Sequence, residues 1–203
     1  FKKVVADKGL VVSALCGDFG GGFVDENRNV EKIPLTKKVI DLAADLEVPI
    51  VTTHVGALSE GGRSAVWPVM ARALDEVGAY AERRGVLLAT ETGPEDGRVL
   101  REFIEQLETE AVKVNFDPAN LAMKGFDVLE CVEQLSYHIV HTHAKDARKN
   151  GCEAPLGEGD VPWKEYISAL KDTGFGGFFV IERECGANPA ADIARAAEFL
   201  RRF

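Results

Sequence analysis

Four residues of types that bind metal ions stand at the ends of four separate apolar segments of this chain. They are Glu91 in LLATETGP, Asp117 in VKVNFDPAN, His143 in IVHTHAKDA and Glu182 in FFVIEREC. Three carboxylates and one imidazole delivered by four parallel strands can meet on a single divalent cation at one end of a barrel. The sequence therefore predicts a metal site at the carboxyl ends of its strands.

Each of these residues also has an ordinary structural explanation. Glu91 is of a type that often caps a helix or stays solvated in a loop, and Asp117 precedes a proline, which favours a turn. His143 has a rival in His141, which lies two residues earlier and faces the same side of the strand. Glu182 is the hardest to explain in this way, because a carboxylate leaving a buried strand loses its hydration unless a cation or hydrogen-bond donors receive it. The joint placement of four ligand types is what favours a metal site.

The surrounding sequence alternates between apolar runs and amphipathic stretches, which is typical of βα units around a parallel sheet. Six runs rich in β-branched residues are predicted as buried strands, at 9–15, 48–53, 85–90, 111–116, 137–142 and 177–181. Helical stripes are predicted within 39–46, 69–77, 99–107, 128–135, 163–170 and 193–200. The last helix is expected to begin at Asn188-Pro189, a good pair for an N-cap and first turn. Glu91, Asp117 and His143 are spaced 26 residues apart, as successive βα units would place them.

This pattern predicts an α/β fold of the (β/α)8 TIM-barrel type, in one domain over residues 1–203. A closed eight-stranded barrel takes about 250 residues, so six units are too few. Residues 1–8 resemble the end of a helix that stops at Gly9. We therefore expect the first two strands and at least one helix to lie outside this sequence, with oligomerisation as one way to cover the open strand edges.

Composition and charge narrow the class of protein. A net charge of −9 and a pI near 5.0 disfavour a protein that neutralises nucleic-acid phosphates. The four cysteines are scattered without a CxxC pair, and no apolar run is long enough to span a bilayer, which predicts a cytoplasmic protein without a membrane partner. The glycine-rich segments at 17–23 and at Gly61-Gly62 are either mobile active-site loops or plain connectors, and neither matches a phosphate-binding motif.

Six sequence segments together resemble the xylose-isomerase-like TIM-barrel superfamily of sugar phosphate isomerases and epimerases. They are VTTHVG at 51–56, LATETGP at 88–94, VNFDPANL at 114–121, HTHAKDA at 141–147, PLGEGDVPW at 155–163 and VIERE at 180–184. The resemblance implies a metal bound by Glu91, Asp117, His143 and Glu182, and prefers His143 because the family ligand is the second histidine of HxHxKD. It also implies that Glu91 and Glu182 act as the catalytic acid/base pair.

Two departures from the family pattern are informative. Family ketose 3-epimerases usually have a histidine three residues after the ligand aspartate, where this chain has Asn120. The AP-endonuclease branch uses several additional histidine ligands for three metals, whereas this chain has four histidines in all and a negative charge. We therefore expect no DNA-repair function.

The predicted donor set favours Mn²⁺, with Co²⁺, Mg²⁺ and Zn²⁺ as alternatives. Such an ion can chelate a carbonyl and an adjacent hydroxyl, which acidifies the intervening C–H and stabilises an enediolate. The expected activity is a sugar isomerase or epimerase acting on a small ketose or cyclitol. The alternatives are a lyase of the inosose-dehydratase type, which would expel a β-hydroxyl from the same carbanion, and a non-catalytic sugar-binding barrel.

Four further residues are predicted to bind substrate, each with an alternative role. His54 can bind a hydroxyl or be structural, and Asn120 can replace the missing histidine. Lys145 can contact substrate or pair with Asp146 to orient the ligand histidine. Glu158 is either a substrate acceptor or a solvated loop acid. No Lys/Arg cluster accompanies the last helix, which favours an uncharged substrate.

Overall fold

Strands and helices alternate through the chain, and the computed structural model describes residues 1–58 and 66–203. The predicted Gly61-Gly62 loop lies outside the described residues. The strands are β1 (Leu15–Cys16), β2 (Ile50–Thr53), β3 (Leu87–Glu91), β4 (Val112–Phe116), β5 (Ile139–Ala144), β6 (Asp146–Ala147), β7 (Glu153–Ala154) and β8 (Phe179–Ile181). The helices are α1 (Lys2–Asp7), α2 (Glu26–Leu46), α3 (Trp67–Arg84), α4 (Gly97–Ile104), α5 (Pro118–Met123), α6 (Val128–Leu135), α7 (Trp163–Asp172) and α8 (Pro189–Leu200).

Among the described residues, β1, β2 and β3 are neighbours in that order in the sheet, and β4, β5 and β8 are neighbours in that order. The pairs β1–β2, β2–β3, β4–β5 and β5–β8 are parallel. Each corresponds to predicted apolar runs, so the alternation of strands and helices is confirmed. The short antiparallel pair of β6 and β7 was not predicted.

The first predicted strand is mostly wrong in extent. Residues 9–15 were expected to be extended and buried, yet only Leu15 and Cys16 pair with β2, opposite Val51 and Thr52. Leu10 is 63% exposed and precedes this pairing, so apolar character there does not reflect burial in the sheet. The predicted helix end before it is confirmed, because α1 ends at Asp7 and Gly9 has a φ of 65°.

The described chain packs as two compact units. The first comprises residues 1–56, 66–91 and 104–113 and contains β1, β2 and β3 with helices α2 and α3. Asp25 is the N-cap of helix α2, and its carboxylate accepts hydrogen bonds from the N–H groups of Asn27 and Arg28. The fully buried side chains of this unit include Ile40, Val51, Met70, Leu74, Val77 and Leu88.

The second unit comprises residues 57–58, 92–103 and 114–203. Its core contains Phe116 stacked on Tyr166 with ring centroids 5.6 Å apart, and the Tyr166 hydroxyl lies 2.6 Å from the Thr142 hydroxyl. Asn188 caps α8 by accepting a hydrogen bond from the Ala191 N–H, as predicted. Within the described residues, no helix combines the length and apolar character needed to cross a membrane.

Candidate metal centre

Asp117 combines the turn-forming and the ligand roles that the sequence left as alternatives. It follows β4 and caps α5, where one oxygen, Oδ1, accepts hydrogen bonds from the N–H groups of Ala119 at 2.8 Å and Asn120 at 3.1 Å. The other oxygen, Oδ2, lies 3.6 Å from His143 Nδ1 and 3.7 Å from Lys145 Nζ. The carboxylate is fully buried. Its two oxygens therefore serve the helix and the cluster separately.

His143 and His141 occupy different surroundings on β5. His143 Nδ1 lies 3.2 Å from Glu182 Oε2 as well as facing Asp117. His141 Nδ1 instead lies 2.7 Å from Asn115 Oδ1, and Asn115 Nδ2 lies 3.4 Å from His143 Nε2. The imidazole beside the carboxylates is thus that of His143, while His141 is a buried histidine bonded to an amide.

Glu182 is positioned by the end of β8. Its N–H donates to the Ala144 carbonyl at 3.3 Å, which continues the β5–β8 ladder by one residue. Hydrogen bonding from His143, and then from Lys145, lowers the pKa of Glu182 despite the opposing effect of burial. The carboxylate is therefore held ionised, which suits either a metal ligand or a base.

Lys145 places a positive charge inside the same cluster. Its ammonium donates to Glu182 Oε2 at 2.9 Å and to Glu184 Oε2 at 2.6 Å, and its side chain is 3% exposed. Burial alone would lower the pKa of Lys145, but the charge of Asp117 and the hydrogen bonds to Glu182 and Glu184 raise it above its ordinary value. Lys145 is thus bound to carboxylates, including two of the predicted ligands.

The predicted pairing of Lys145 with Asp146 is wrong, because Asp146 organises a loop instead. In the described chain its carboxylate accepts hydrogen bonds from the N–H groups of Ala147, Gly157, Gly159 and Val161 and from the Trp163 indole N–H. A Cβ at Gly159 would lie 1.9 Å from Asp146 Oδ1, so this close approach requires glycine. Glu158 is exposed on the loop that Asp146 holds.

Glu91 is the last residue of β3, and His54 immediately follows the neighbouring strand β2. His54 Nε2 lies 3.6 Å from Glu91 Oε1, and His54 Nδ1 lies 2.9 Å from Asp18 Oδ2. Hydrogen bonding to Glu91, with a further contribution from Asp18, raises the pKa of His54 to about 9. The sequence did not identify Asp18, whose only signal was its position in the glycine-rich segment after a strand. That segment is also held by Lys32, which donates to the carbonyls of Gly20 and Gly22.

Asn120, which was predicted to bind substrate, and the buried Glu95 both follow strands of the sheet. Asn120 donates from its side-chain Nδ2 to the Thr92 carbonyl at 3.1 Å, so part of its amide braces the chain after β3. Glu95 was not predicted, although it is 4% exposed and burial raises its pKa to about 7. No local pattern distinguishes Glu95 from a surface acid, because its burial depends on the segment containing Leu58.

In the second unit, Asp117, His143 and Glu182 each offer one ligand atom, and these atoms lie within 4.8 Å of one another. Oxygen donors with one imidazole fit a hard or borderline divalent cation. The carboxylates of Asp117, Glu182 and Glu184 with the Lys145 ammonium would carry a net charge of about −2 when ionised, which a divalent cation would neutralise. The residues present therefore fit a divalent metal ion in both donor type and charge.

The chain belongs to the xylose isomerase-like TIM barrel family, whose model matches residues 1–203. Among curated relatives, it is 23% identical over 209 residues to the uncharacterized protein MJ1311 of Methanocaldococcus jannaschii, covering 96% of this chain and 69% of that protein. It is 24% identical over 160 residues to an inosose dehydratase of Bacillus thuringiensis, covering 66% of this chain and 54% of the relative. The chain thus spans about half the length of that dehydratase.

Solved structures show the same fold. A xylose isomerase domain protein from Planctomyces limnophilus superposes with a TM-score of 0.90 at 27% identity, covering 100% of this chain and 80% of that one. The apo form of 3-keto-D-glucoside 4-epimerase from E. coli superposes with a TM-score of 0.84 at 17% identity. The match covers 100% of this chain and 83% of that one. A xylose isomerase-like TIM barrel protein from Mycobacterium smegmatis in complex with magnesium superposes with a TM-score of 0.77 at 20% identity. The match covers 99% of this chain and 76% of that one.

Proposed function

We propose that this protein is a divalent-metal-dependent sugar isomerase or epimerase that removes a proton next to a carbonyl and proceeds through an enediolate. The observation that carries the proposal is the grouping of Asp117, His143 and Glu182 within 4.8 Å of one another, and we propose Glu91 as the fourth ligand. Proteins similar to this chain include a 3-keto-D-glucoside 4-epimerase and an inosose dehydratase, and one structure of the same fold is a complex with magnesium. We favour Mn²⁺ as the native ion, with Co²⁺, Mg²⁺ and Zn²⁺ as alternatives.

When bound, the ion would supply Lewis acidity that stabilises the developing oxygen charge of the substrate. Glu182 is the better candidate for the first proton acceptor, because His143 and Lys145 keep its carboxylate ionised. It takes the proton from the carbon, and the C–H electron pair moves toward the carbonyl oxygen. A proton returns to the same or the adjacent carbon, either from the protonated Glu182 itself or from Glu91 after Glu91 has taken one from solvent. Solvent then restores both carboxyl groups, so protons balance over the cycle.

The neighbouring residues would orient the substrate and the two carboxylates. We assign His54 to a substrate hydroxyl, since it is half-exposed and its Nε2 lies 3.6 Å from Glu91 Oε1. Asn120 and Lys145 are also assigned to substrate binding. In the structure, Asn120 donates a hydrogen bond to the Thr92 carbonyl, and Lys145 donates one to the Glu182 carboxylate. Glu158 would reach the substrate from the loop held by Asp146. The substrate would be an uncharged ketose or cyclitol, and the protein would act in the cytoplasm, with a homo-oligomer as a further expectation.

A metal-dependent lyase is the second candidate, and the inosose dehydratase relatives favour it. It would use the same proton abstraction and then expel a β-hydroxyl as water. A non-catalytic sugar-binding barrel is the third candidate, and it would share the metal site without turnover.

The test combines metal content with isotope exchange. Wild type, Glu182→Gln and His143→Ala are purified, and the exposed Glu198→Gln serves as a matched control on the same unit. We expect about one divalent ion per chain in wild type and Glu198→Gln and less in the other two variants. Ketoses and cyclitols are then incubated in D₂O with the loaded protein. Deuterium at a reacting carbon without loss of water supports the isomerase, loss of water supports the lyase, and binding without either supports the third candidate. Absence of metal after reconstitution would overturn the proposal.

A further inference from the structure

The glycine-rich segment 17–23, which the sequence left as either an active-site loop or a plain connector, crosses the end of β2. The Gly17 N–H donates to the Thr52 carbonyl at 2.8 Å, and the Phe23 N–H donates to the Val55 carbonyl at 2.7 Å. Thr52 lies within β2, and Val55 lies two residues beyond the end of that strand. Both ends of the segment are therefore bound to the chain that flanks the end of β2.

Between these two attachments, Asp18 places its carboxylate against His54, the residue assigned to a substrate hydroxyl. Asp18 Oδ2 lies 2.9 Å from His54 Nδ1, and Asp18 Oδ1 accepts a hydrogen bond from the Gly20 N–H at 2.8 Å. One oxygen thus contacts the ring, and the other contacts the backbone of the segment. All three residues lie in the first unit. The position of the imidazole therefore depends on the conformation that the segment adopts.

Lys32 of helix α2 binds the segment through a buried ammonium. The residue is 6% exposed, and its ammonium donates to the carbonyls of Gly20 and Gly22. A buried charge is costly unless hydrogen bonds or an opposite charge receive it. Burial, and then the charge of Arg28, lowers the pKa of Lys32, while the charge of Asp18 opposes them. The two carbonyls therefore stabilise a charge that burial disfavours.

The conformation of the segment has weak local support. Gly20, Gly21 and Gly22 have successive φ values of 71°, 68° and 57°, and glycine loses more conformational freedom on ordering than any other residue. A Cβ at Gly22 would lie 2.5 Å from the Gly56 nitrogen, so the close approach to the chain after β2 also requires glycine. The Lys32 ammonium is the group that joins two carbonyls of this turn.

We propose that Lys32 is a positioning residue for His54 that acts through the glycine-rich segment. Its ammonium holds two carbonyls of the segment, the segment places Asp18, and Asp18 holds the imidazole where a substrate hydroxyl meets it. The segment is then an active-site loop rather than a plain connector. The inference rests on the proposed function only for the role of His54 toward substrate.

Hydrogen exchange of backbone N–H groups tests the first step, the binding of the segment by Lys32. Lys32→Met keeps the length of the side chain and removes its charge. We expect the Phe23 N–H to exchange about 10- to 100-fold faster in this variant, because losing hydrogen bonds to a charged group favours local opening. The N–H of Ile40, further along α2, should change much less, which separates local release from unfolding. Lys38→Met, at an exposed position of the same helix, is the matched control.

Rescue by a free amine tests whether the charge itself is responsible. Lys32→Ala lacks the three carbons and the ammonium that propylammonium supplies, whereas propanol supplies a similar shape without the charge. We expect propylammonium, and not propanol, to slow the exchange of the Phe23 N–H toward the wild-type rate. Lys32→Arg keeps the charge and should lie between wild type and Lys32→Met, so the test remains decisive if Lys32→Ala does not fold.

The ring resonances of His54, recorded by NMR at one pH with Mg²⁺, which is diamagnetic, test the second step. Lys32→Met and Asp18→Asn should each shift them. The double variant should resemble Asp18→Asn alone, because the effect of Lys32 passes through Asp18. Shifts that add in the double variant would overturn the proposal, since Lys32 would then act on the ring through packing. Resonances that are the same in Lys32→Met and Lys38→Met would overturn it as well.

These measurements separate the inference from the proposed function. If wild type binds no metal and turns over no ketose or cyclitol, yet His54 responds as expected, the proposed function fails and the positioning of His54 by Lys32 stands. If wild type is active, Lys32→Met should raise KM about 3- to 10-fold with a smaller change in kcat and unchanged metal content, because a hydrogen bond that binds substrate is weakened. A KM equal to that of Lys38→Met would overturn the assignment of the segment as an active-site loop.

Discussion

Thr92 and Asp117 exchange two hydrogen bonds through one hydroxyl. The Asp117 N–H donates to Thr92 Oγ1 at 2.8 Å, and Thr92 Oγ1 donates to the Asp117 carbonyl at 2.9 Å. The residue that immediately follows Glu91 thus fixes the backbone of a second predicted ligand. The coupling between Thr92 and Asp117 thus depends on a single buried hydroxyl.

Thr92→Val is therefore expected to loosen Asp117 without changing side-chain shape. Both backbone groups of Asp117 lose their partner, and a buried unsatisfied polar group costs about 1 to 3 kcal/mol. We expect the free energy of unfolding, measured with urea, to fall by about that amount and metal affinity to fall with it. Thr90→Val is the control, because the Thr90 hydroxyl has no hydrogen-bond partner in the described structure and its loss should be neutral or stabilising. Equal losses in the two variants would contradict the coupling.

Lys145→Met tests whether the buried Lys145 ammonium compensates the negative charges of Asp117 and Glu182. Breaking a buried ion pair costs about 3 to 5 kcal/mol, so the metal-free variant should be strongly destabilised, since Asp117 and Glu182 lose a cation. A divalent ion can replace that charge, so Mn²⁺ should raise the melting temperature more in Lys145→Met than in wild type. Lys164→Met, at an exposed position of α7, is the control. A smaller Mn²⁺ effect in Lys145→Met would show that the ammonium does not compensate the ligand charges.

Glu95→Gln tests a buried carboxyl outside the predicted ligands. Burial raises its pKa from 4.5 to about 7 in the folded protein. Between those values the folded chain keeps a proton that the unfolded chain releases, so stability falls as pH rises and the penalty is complete above about pH 7. Glutamine does not ionise and has no such penalty. The free energy of unfolding of the variant should therefore exceed that of wild type by up to about 3 kcal/mol at pH 8 and by little at pH 4.

Urea unfolding at the two pH values measures this difference for Glu95→Gln. Glu133→Gln, at an exposed position of α6, should show no such pH-dependent gain. A gain in Glu95→Gln that is equal at both pH values would rule out titration of Glu95 as its cause.

Much of the fold follows from local sequence. The runs that become β2, β3, β4 and β5 are apolar because both faces of the sheet are covered, and that property is visible in composition alone. Helix α5 was missed because an aspartate followed by proline signals a turn and also an N-cap with proline in the first helical turn. The choice between them depends on the buried packing of residues such as Leu121, which lies outside the motif.

The site was predictable only in part, for a related physical reason. The residue types at strand ends indicated four ligand candidates, since each strand ends at the same edge of a parallel sheet. The partners of those candidates depend on register and on loops distant in sequence. Asn115 meets His141 because of the β4–β5 register, and Lys145 meets Glu184 through the pairing of β5 with β8. No spacing within one segment contains that information.

His54 provides a prediction that depends on the partners of one imidazole. Its pKa is raised to about 9, first by Glu91 and then by Asp18, so its contribution to stability is present below pH 6.5 and is lost as pH rises through about 9. Proton NMR titration of the metal-free protein should show the His54 ring titrating near pH 9. Glu91→Gln should lower that pKa more than Asp18→Asn does, because Glu91 is the larger cause.

Adding Mg²⁺ to wild type should also lower the pKa of His54, because an ion bound by Glu91 withdraws negative charge from its neighbour. The same addition to Glu91→Gln should change it less. If Asp18→Asn has the larger effect and Mg²⁺ has none, His54 belongs to the glycine-rich segment rather than to the metal centre.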